Sequence, residues 1–391
     1  MSCTSSDDHV LFDLENNNTL KFIDALYSFK TLYGKFHRYI AVFLCVIGLI
    51  ANCLHICVLT RRQMRRSAVH TVLTVIAFCD MGTMTSYLIY ITRFEFFMQE
   101  EGYPFSWAGF LKIHAVLSIA LHAISIYLVV FMAFIRFLAM DAGHRKWMMP
   151  QPAIIISTIV AAAIFILCIP TFLAHQIYER SDTLMKQLHT NQSIELKYSI
   201  GFSTNFEANN CQLFKWNLWL TGIVLKAIPC FLLLTFTFAL LKKLHENEMK
   251  RRVLLKAPIN GEKPRRITTD RTTTMLLLMV FVFLITELPQ GIFAILNAIY
   301  TSQFHGYVYM SFADLLDLLS LINCYVGFLV YSITSSKYRQ TLLMMLPICQ
   351  SEYNAVSSPK ERTNTHPRMH YPDETISTKL ALSKNQSIAT V

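Results

Sequence analysis

The apolar residues of this chain arrive in seven long blocks, not at the spacing of amphipathic elements. The blocks run over residues 39–60, 69–91, 110–140, 153–174, 218–241, 273–299 and 307–333. A helix needs about 20 mostly apolar residues to cross the hydrocarbon core of a bilayer, and each block supplies them. Inside a bilayer no water satisfies backbone N–H and C=O groups, so such blocks must become helices. Hydrophobic residues make up 53% of the chain and charged residues 15%, well under the roughly 25% charge of soluble domains. A soluble core is therefore excluded, and the expected fold is an all-α membrane protein built as a seven-transmembrane helix bundle. The two halves show no internal repeat.

The net charge of +10 does not point to nucleic acid, because the basic residues sit between the apolar blocks. The link after the first block carries Arg61, Arg62, Arg65 and Arg66 without an acid, and the link after the fifth carries ten further Lys and Arg residues. Basic links of this kind stay in the cytoplasm. The amino terminus is then expected outside and the carboxyl terminus inside, as a multi-pass plasma-membrane protein. The first 35 residues contain Asp7, Asp8, Asp13 and Glu15 and no continuous apolar stretch before a cleavage site, so the first membrane helix is expected to serve as the targeting signal. The sequons at Asn17 and Asn191 fall outside in this topology and are expected to be glycosylated, whereas the one at Asn385 falls inside and is expected to be silent.

Three segments follow from this reading. Residues 1–36 form an extracellular tail, 37–347 the bundle with a short amphipathic eighth helix near 336–343, and 348–391 a polar, Ser/Thr-rich cytoplasmic tail that cannot bury enough apolar surface to fold. Cys349 is either a palmitoylation site or an ordinary thiol. Seven of the ten cysteines lie inside apolar blocks, where a thiol acts as a small hydrophobe. The Cys/His spacings of metal sites do not occur in the sequence, so neither metal nor cofactor is expected. An enzyme is not expected either.

A charge at the centre of a membrane helix costs about 2.5–3.5 kcal/mol on the insertion scale, so each one requires a reason. Five stand out: Asp80, Lys226, Glu287, Asp314 and Asp317. At 1.5 Å rise per residue, Lys226 lies roughly 12 Å below the outer end of its block, Glu287 roughly 18 Å, and Asp314 and Asp317 roughly 9–14 Å. All four therefore point to a polar cavity open to the outside. Asp314 and Asp317 are three apart and share a helix face. Pro289 removes the backbone bond to Ile285 and is expected to kink the sixth helix where Glu287 sits. Glu287 could be neutralised by Lys226, by protonation or by a cationic ligand group. Asp80, Asn52 and Asn323 are expected to share a hydrogen-bond network, either as packing or around a monovalent cation. His114 and His122 are eight apart on one side of the third helix and are expected to hydrogen-bond.

Asn52, the Ala77-x-x-Asp80 motif, Arg136 at the inner end of the third block, Pro229 and Pro289 resemble a rhodopsin-type G-protein-coupled receptor over about residues 33–347. Asp270-Arg271-Thr272-Thr273 leading into Leu284-Ile285-Thr286-Glu287-Leu288-Pro289-Gln290-Gly291, with His122-Ala123-Ile124-Ser125-Ile126-Tyr127-Leu128, is similar to the invertebrate myosuppressin and FMRFamide-like neuropeptide receptors, especially their nematode group. The resemblance implies an amidated Arg-Phe peptide as ligand and G-protein coupling that is often inhibitory. With such a ligand, the Phe-amide is expected to enter towards His122, Glu287 and Gln290, with Lys226 as a further binding candidate, and the Arg to meet Asp314 and Asp317 or Glu287. Arg136, Tyr331 and Pro289 then serve activation and coupling, and the tail serves receptor kinases and arrestin.

Several motifs depart from the family pattern. Ile135-Arg136-Phe137 lacks the acid that usually holds the arginine at rest. Gly327-Phe328-Leu329-Val330-Tyr331 keeps the tyrosine of the seventh-helix motif and loses its proline, which removes the expected kink. Glu287 stands where a tryptophan usually precedes the sixth-helix proline by two. The third helix has no cysteine at its outer end, so the usual disulfide is missing. Cys211 either pairs with Cys3 or stays free or intermolecular. The rivals are a chemosensory receptor for a small molecule on the same scaffold and a transporter or channel.

Overall fold

The computed structural model describes residues 11–97, 103–139, 145–179, 197–256, 271–300 and 303–345. Among them seven helices are long and apolar enough to cross a membrane: Asn17–Leu59, Ala68–Phe96, Phe105–Ala139, Pro150–Ala174, Gln212–Asn247, Phe281–Ile299 and Phe304–Thr334. The second and third spans are the most enclosed, with 56% and 50% of their apolar windows buried, against 22% for the fourth. That contrast puts the second and third spans at the centre and the fourth at the rim, where its Ile154, Ile155, Ile159 and Ile166 remain exposed for lipid. The largest core cluster joins Leu73, Leu128, Ile135, Leu233, Phe283, Tyr331 and Tyr338, from the second, third, fifth, sixth and seventh spans and the segment beyond.

The first helix begins at Asn17, well before the apolar block at 39–60. Asn16 caps it by accepting from the Asn18 N–H, as short polar side chains do at helix starts. Hydropathy misses these turns because Lys21, Asp24, Lys30 and Lys35 dilute their apolar residues. Leu26 packs with Phe304 and Val308 of the seventh span. Gln303 Oε1 accepts the N–H groups of Leu11 and Phe12 at 2.8 and 2.7 Å. Residues 11–36, expected as part of a tail, are therefore docked on the end of the bundle where the seventh span starts. We call this end the amino-terminal mouth.

A two-stranded antiparallel sheet, β1 (His175–Glu179) with β2 (Tyr198–Phe202), lies in the link after the fourth span, with His175 opposite Phe202. The sequence did not announce it. Tyr103 and Tyr198 exchange backbone hydrogen bonds of 3.1 and 2.8 Å, and Phe105 meets Tyr198 edge-on. A backbone pair thus fixes this link to the start of the third span, where the family pattern would use a disulfide.

The seventh helix corrects an expectation. Despite its missing proline it is interrupted, ending one segment at Asn323 and restarting at Val326. The Asn52 side-chain amide, on the first span, donates 2.9 Å to the Cys324 carbonyl at the break. A carbonyl inside a membrane must find a partner, and Asn52 supplies it without proline. The sixth helix runs through Pro289 from Arg271 to Ile299. Past the break, Ser336–Leu343 forms a short helix whose Tyr338 is buried against His55, with Oη 2.8 Å from Nδ1. That burial pushes the Tyr338 phenol above its ordinary pKa, so it stays protonated.

Three helical stretches widen to π-helical turns: Ile91–Phe96, Leu220–Ala227 and Phe304–Tyr309. Such turns are frequent at functional sites because they re-aim side chains. Within the second of them, a Cβ on Gly222 would come 2.9 Å from the Ala294 carbonyl oxygen of the sixth span. Backbone cannot retreat as a side-chain tip can. Gly222→Val is therefore expected to cost about 1–3 kcal/mol and to lower the melting temperature of the detergent-solubilised protein. Gly109→Val, where nothing lies within 4 Å of the added carbon, should leave it unchanged.

Candidate functional site

Glu287 is 1% exposed and sits between two other spans. Its Oε2 lies 3.3 Å from His122 Nε2 on the third, and its Oε1 accepts 2.7 Å from the Asn323 amide on the seventh. The His122 approach is an ion-pair distance without hydrogen-bond alignment. The anticipated link from Glu287 to Lys226 does not form. Lys226 Nζ instead donates 3.4 Å to Gln290 Oε1, which also accepts 3.1 Å from Ser320. The difference is one of height along the sixth helix: Gln290 stands about one turn nearer the mouth than Glu287, and Lys226, in the last turn of the π-helical stretch, reaches Gln290. Gln290 Nε2 also donates to the Thr286 carbonyl one turn back, close to the bond that Pro289 deletes.

Nearer the mouth, Tyr87 Oη on the second span donates 3.2 Å to Asp317 Oδ2 and lies 2.9 Å from His37 Nε2 on the first. Tyr87 has one proton. Giving it to Asp317 leaves its oxygen to accept from His37 Nε2–H, and His37 Nδ1 is then a buried acceptor without a described partner. Asp317 is accessible within the bundle, and Lys226, Asp314 and His122 are close enough for their charges to act on it. Asp314 turns to the first span: its Oδ2 lies where a Cβ on Gly34 would stand 3.4 Å away, and its charge acts on Tyr33 and His37. Among the described residues Asp314 has neither hydrogen bond nor ion pair. His114 bonds Ser86 at 3.0 Å and stacks on Tyr90, away from His122's partner.

Below this column the expected Asp80–Asn52–Asn323 network is rearranged. Asp80 accepts 3.0 Å from Ser125, Asn52 serves the seventh-span break, and Asn323 serves Glu287. The three do not bond one another directly, but they line one cavity of about 10 Å³ with His55 and Ser125, the size of a single water. Asn323 Oδ1 and His55 Nε2 are buried there without a protein partner. At the far end Arg136 donates 3.3 Å to Tyr331 Oη, so the arginine that lacks a neighbouring acid is held by the retained tyrosine.

The structure thus gathers Glu287, Gln290, His122, Lys226 and Asp317, sets Asp314 beside the first span, and pairs Arg136 with Tyr331. Pro289 lies inside the sixth-span helix Arg271–Ile299. His37, Tyr87 and Ser320 escaped the sequence reading, and Ser125 entered it only inside a family signature, without a role of its own. A histidine two residues before an apolar block was a usable signal for His37, but nothing distinguished Tyr87 or Ser320 from packing residues. Asn17 is exposed on the first turn of the first helix. Asn191, Cys3 and Cys349 lie outside the described residues, as does the side chain of Cys211.

Residues 39–349 match the family described as serpentine type 7TM GPCR chemoreceptor Srw. The chain is 32% identical over 379 residues to the G-protein coupled receptor dmsr-1 of Caenorhabditis elegans, covering 87% of this chain and 73% of that protein. It is 22% identical over 358 residues to the Sex peptide receptor of Drosophila melanogaster, covering 86% and 78%. Seven apolar helices around a polar column, and a family match over most of the chain, lead to one conclusion: the chain belongs to the Srw family of serpentine seven-transmembrane G-protein-coupled receptors, which are not enzymes.

Proposed function

We propose that this receptor binds a short amidated Arg-Phe peptide at the amino-terminal mouth and activates a heterotrimeric G protein of the inhibitory class at the Arg136 end. The observation that carries the reading is the unpaired Asp314 beside the accessible Asp317, both inside the span Phe304–Thr334. Carboxylates at that depth need a cation, and a peptide guanidinium can give each of them charge-assisted hydrogen bonds. The Phe-amide goes deeper, to His122, Glu287 and Gln290 beside Lys226. A relative named for a peptide supports the ligand class.

In this reading the protein lies in the plasma membrane with its amino terminus outside, glycosylated at Asn17 and Asn191. Cys349 is palmitoylated, and the tail recruits receptor kinases and arrestin. The peptide favours one of two helix arrangements by binding it more tightly. A second reading, a small-molecule chemoreceptor, draws on the family's description. Cells expressing the chain should lower cyclic AMP in response to amidated Arg-Phe peptides and not to their free acids; responses to small volatile or polar compounds alone would favour the second reading.

Two predictions follow from the placement. Asp314→Asn with Asp317→Asn should shift peptide potency roughly tenfold to a hundredfold, as loss of charged hydrogen bonds does, with surface expression retained; unchanged potency would refute the guanidinium position. Arg136→Leu should abolish G-protein activation while labelled-peptide binding persists, as read in membranes by nucleotide exchange and by radioligand.

A further inference from the structure

At the Arg136 end, a cavity of about 600 Å³ opens between the first link, the start of the second span and the terminal helix. It is lined by Arg62, Gln63, Met64, Arg66, Ser67, His70 and Lys337. Three of these are cations and none is an acid. Residues 61–65 form a turn, with the N–H groups of Met64 and Arg65 both bonded to the Arg61 carbonyl. Arg62 and Arg66 stand four apart along it, the spacing that places side chains on one side of a helical turn. The opposite wall is tied to this turn, because Lys337 Nζ donates 3.0 Å to the Gln63 carbonyl. Met64, 1% exposed, anchors the floor, and its carbonyl takes His70 Nδ1 at 2.8 Å. Ser67 precedes the second helix without a side-chain capping bond.

A collar of arginines that merely fixes topology needs no concavity. Here the cations converge on a space in the size range of small-molecule sites, far larger than one phosphate. Clustered Lys and Arg beside a membrane helix are what polyanionic headgroups select, and guanidinium forks match phosphate oxygens bidentately. We propose that this cavity binds an inositol ring carrying phosphomonoesters, Arg62 and Arg66 holding phosphates from one wall and Lys337 from the other. The headgroup of a membrane phosphoinositide and a soluble inositol phosphate share this chemistry. The His70 ring of the cavity lies 5.9 Å from that of Tyr331, whose Oη holds Arg136.

The test uses the full chain in lipid nanodiscs containing phosphatidylcholine with phosphatidylinositol 4,5-bisphosphate, or with phosphatidylserine at equal charge, and reads retained lipid by native mass spectrometry. A further arm adds soluble inositol trisphosphate to phosphatidylcholine discs. The wild type should retain one phosphoinositide in preference to phosphatidylserine. Arg62→Gln with Arg66→Gln should weaken this roughly thirtyfold, and Lys337→Gln about fivefold, at the usual value of each basic group near an anionic surface. Arg61→Gln with Arg65→Gln removes the same charge from the same turn outside the cavity and should leave retention near the wild-type level. Arg62→Lys with Arg66→Lys should keep most of it, which separates lost charge from a lost fold. Equal losses in the Arg61/Arg65 and Arg62/Arg66 pairs, or equal retention of phosphatidylserine, would overturn the site in favour of a diffuse basic collar. Inositol trisphosphate bound as tightly as the lipid would keep the site and assign its ligand to the soluble source. The readout needs no agonist, so it stands or falls separately from the peptide reading.

Discussion

One buried carboxylate holds three spans of the bundle together. Glu287 joins the sixth span to the third through His122 and to the seventh through Asn323. An acid at that depth is stable only while its partners stay in place, since removing one partner of a buried pair costs about 3–5 kcal/mol. The sixth helix therefore cannot rotate without breaking a polar contact in a low-dielectric setting. Where other receptors of this scaffold place a tryptophan ring, this chain has a buried carboxylate in polar contact with two neighbouring spans.

The same constraint organises the irregular backbone. Membrane helices tolerate breaks only where the freed groups are satisfied. The interruption of the seventh span rests on Asn52, the deleted bond at Pro289 lies beside the Gln290 to Thr286 contact, and the widened turn at Leu220–Ala227 carries Lys226 in its last turn. These three irregularities each lie beside a polar side chain. Asn52 and Gln290 thus each bond a backbone carbonyl beside an irregularity, so polar side chains and backbone shape are joined at these two places.

The column also has a direction. Asp317, Tyr87 and His37 lead from the interior towards the docked first helix, and Asn323 leads from Glu287 down to the cavity shared with Asp80 and Asn52. The Arg136–Tyr331 bond closes the far end. The seventh span contributes to every level, so it is the element through which the mouth and the Arg136 end are joined.

Seven blocks of apolar residues determined seven helices, because a bilayer leaves the backbone no other solution, and the cost of burying charge marked Asp80, Lys226, Glu287, Asp314 and Asp317 as residues needing partners. Those conclusions depend on local composition and are legible in one dimension. Which partner each charge takes was not legible. Whether Glu287 meets Lys226 or His122 depends on the relative heights and faces of three helices, and Lys226 stands in a π-helical stretch that periodicity does not reveal. The break at Cys324 without proline, the docked turns before residue 37 and the pairing of Tyr103 with Tyr198 likewise arise from contacts between segments far apart in the chain. Sequence fixes what must be buried and what must be paired; only the packing of helices against one another decides with what.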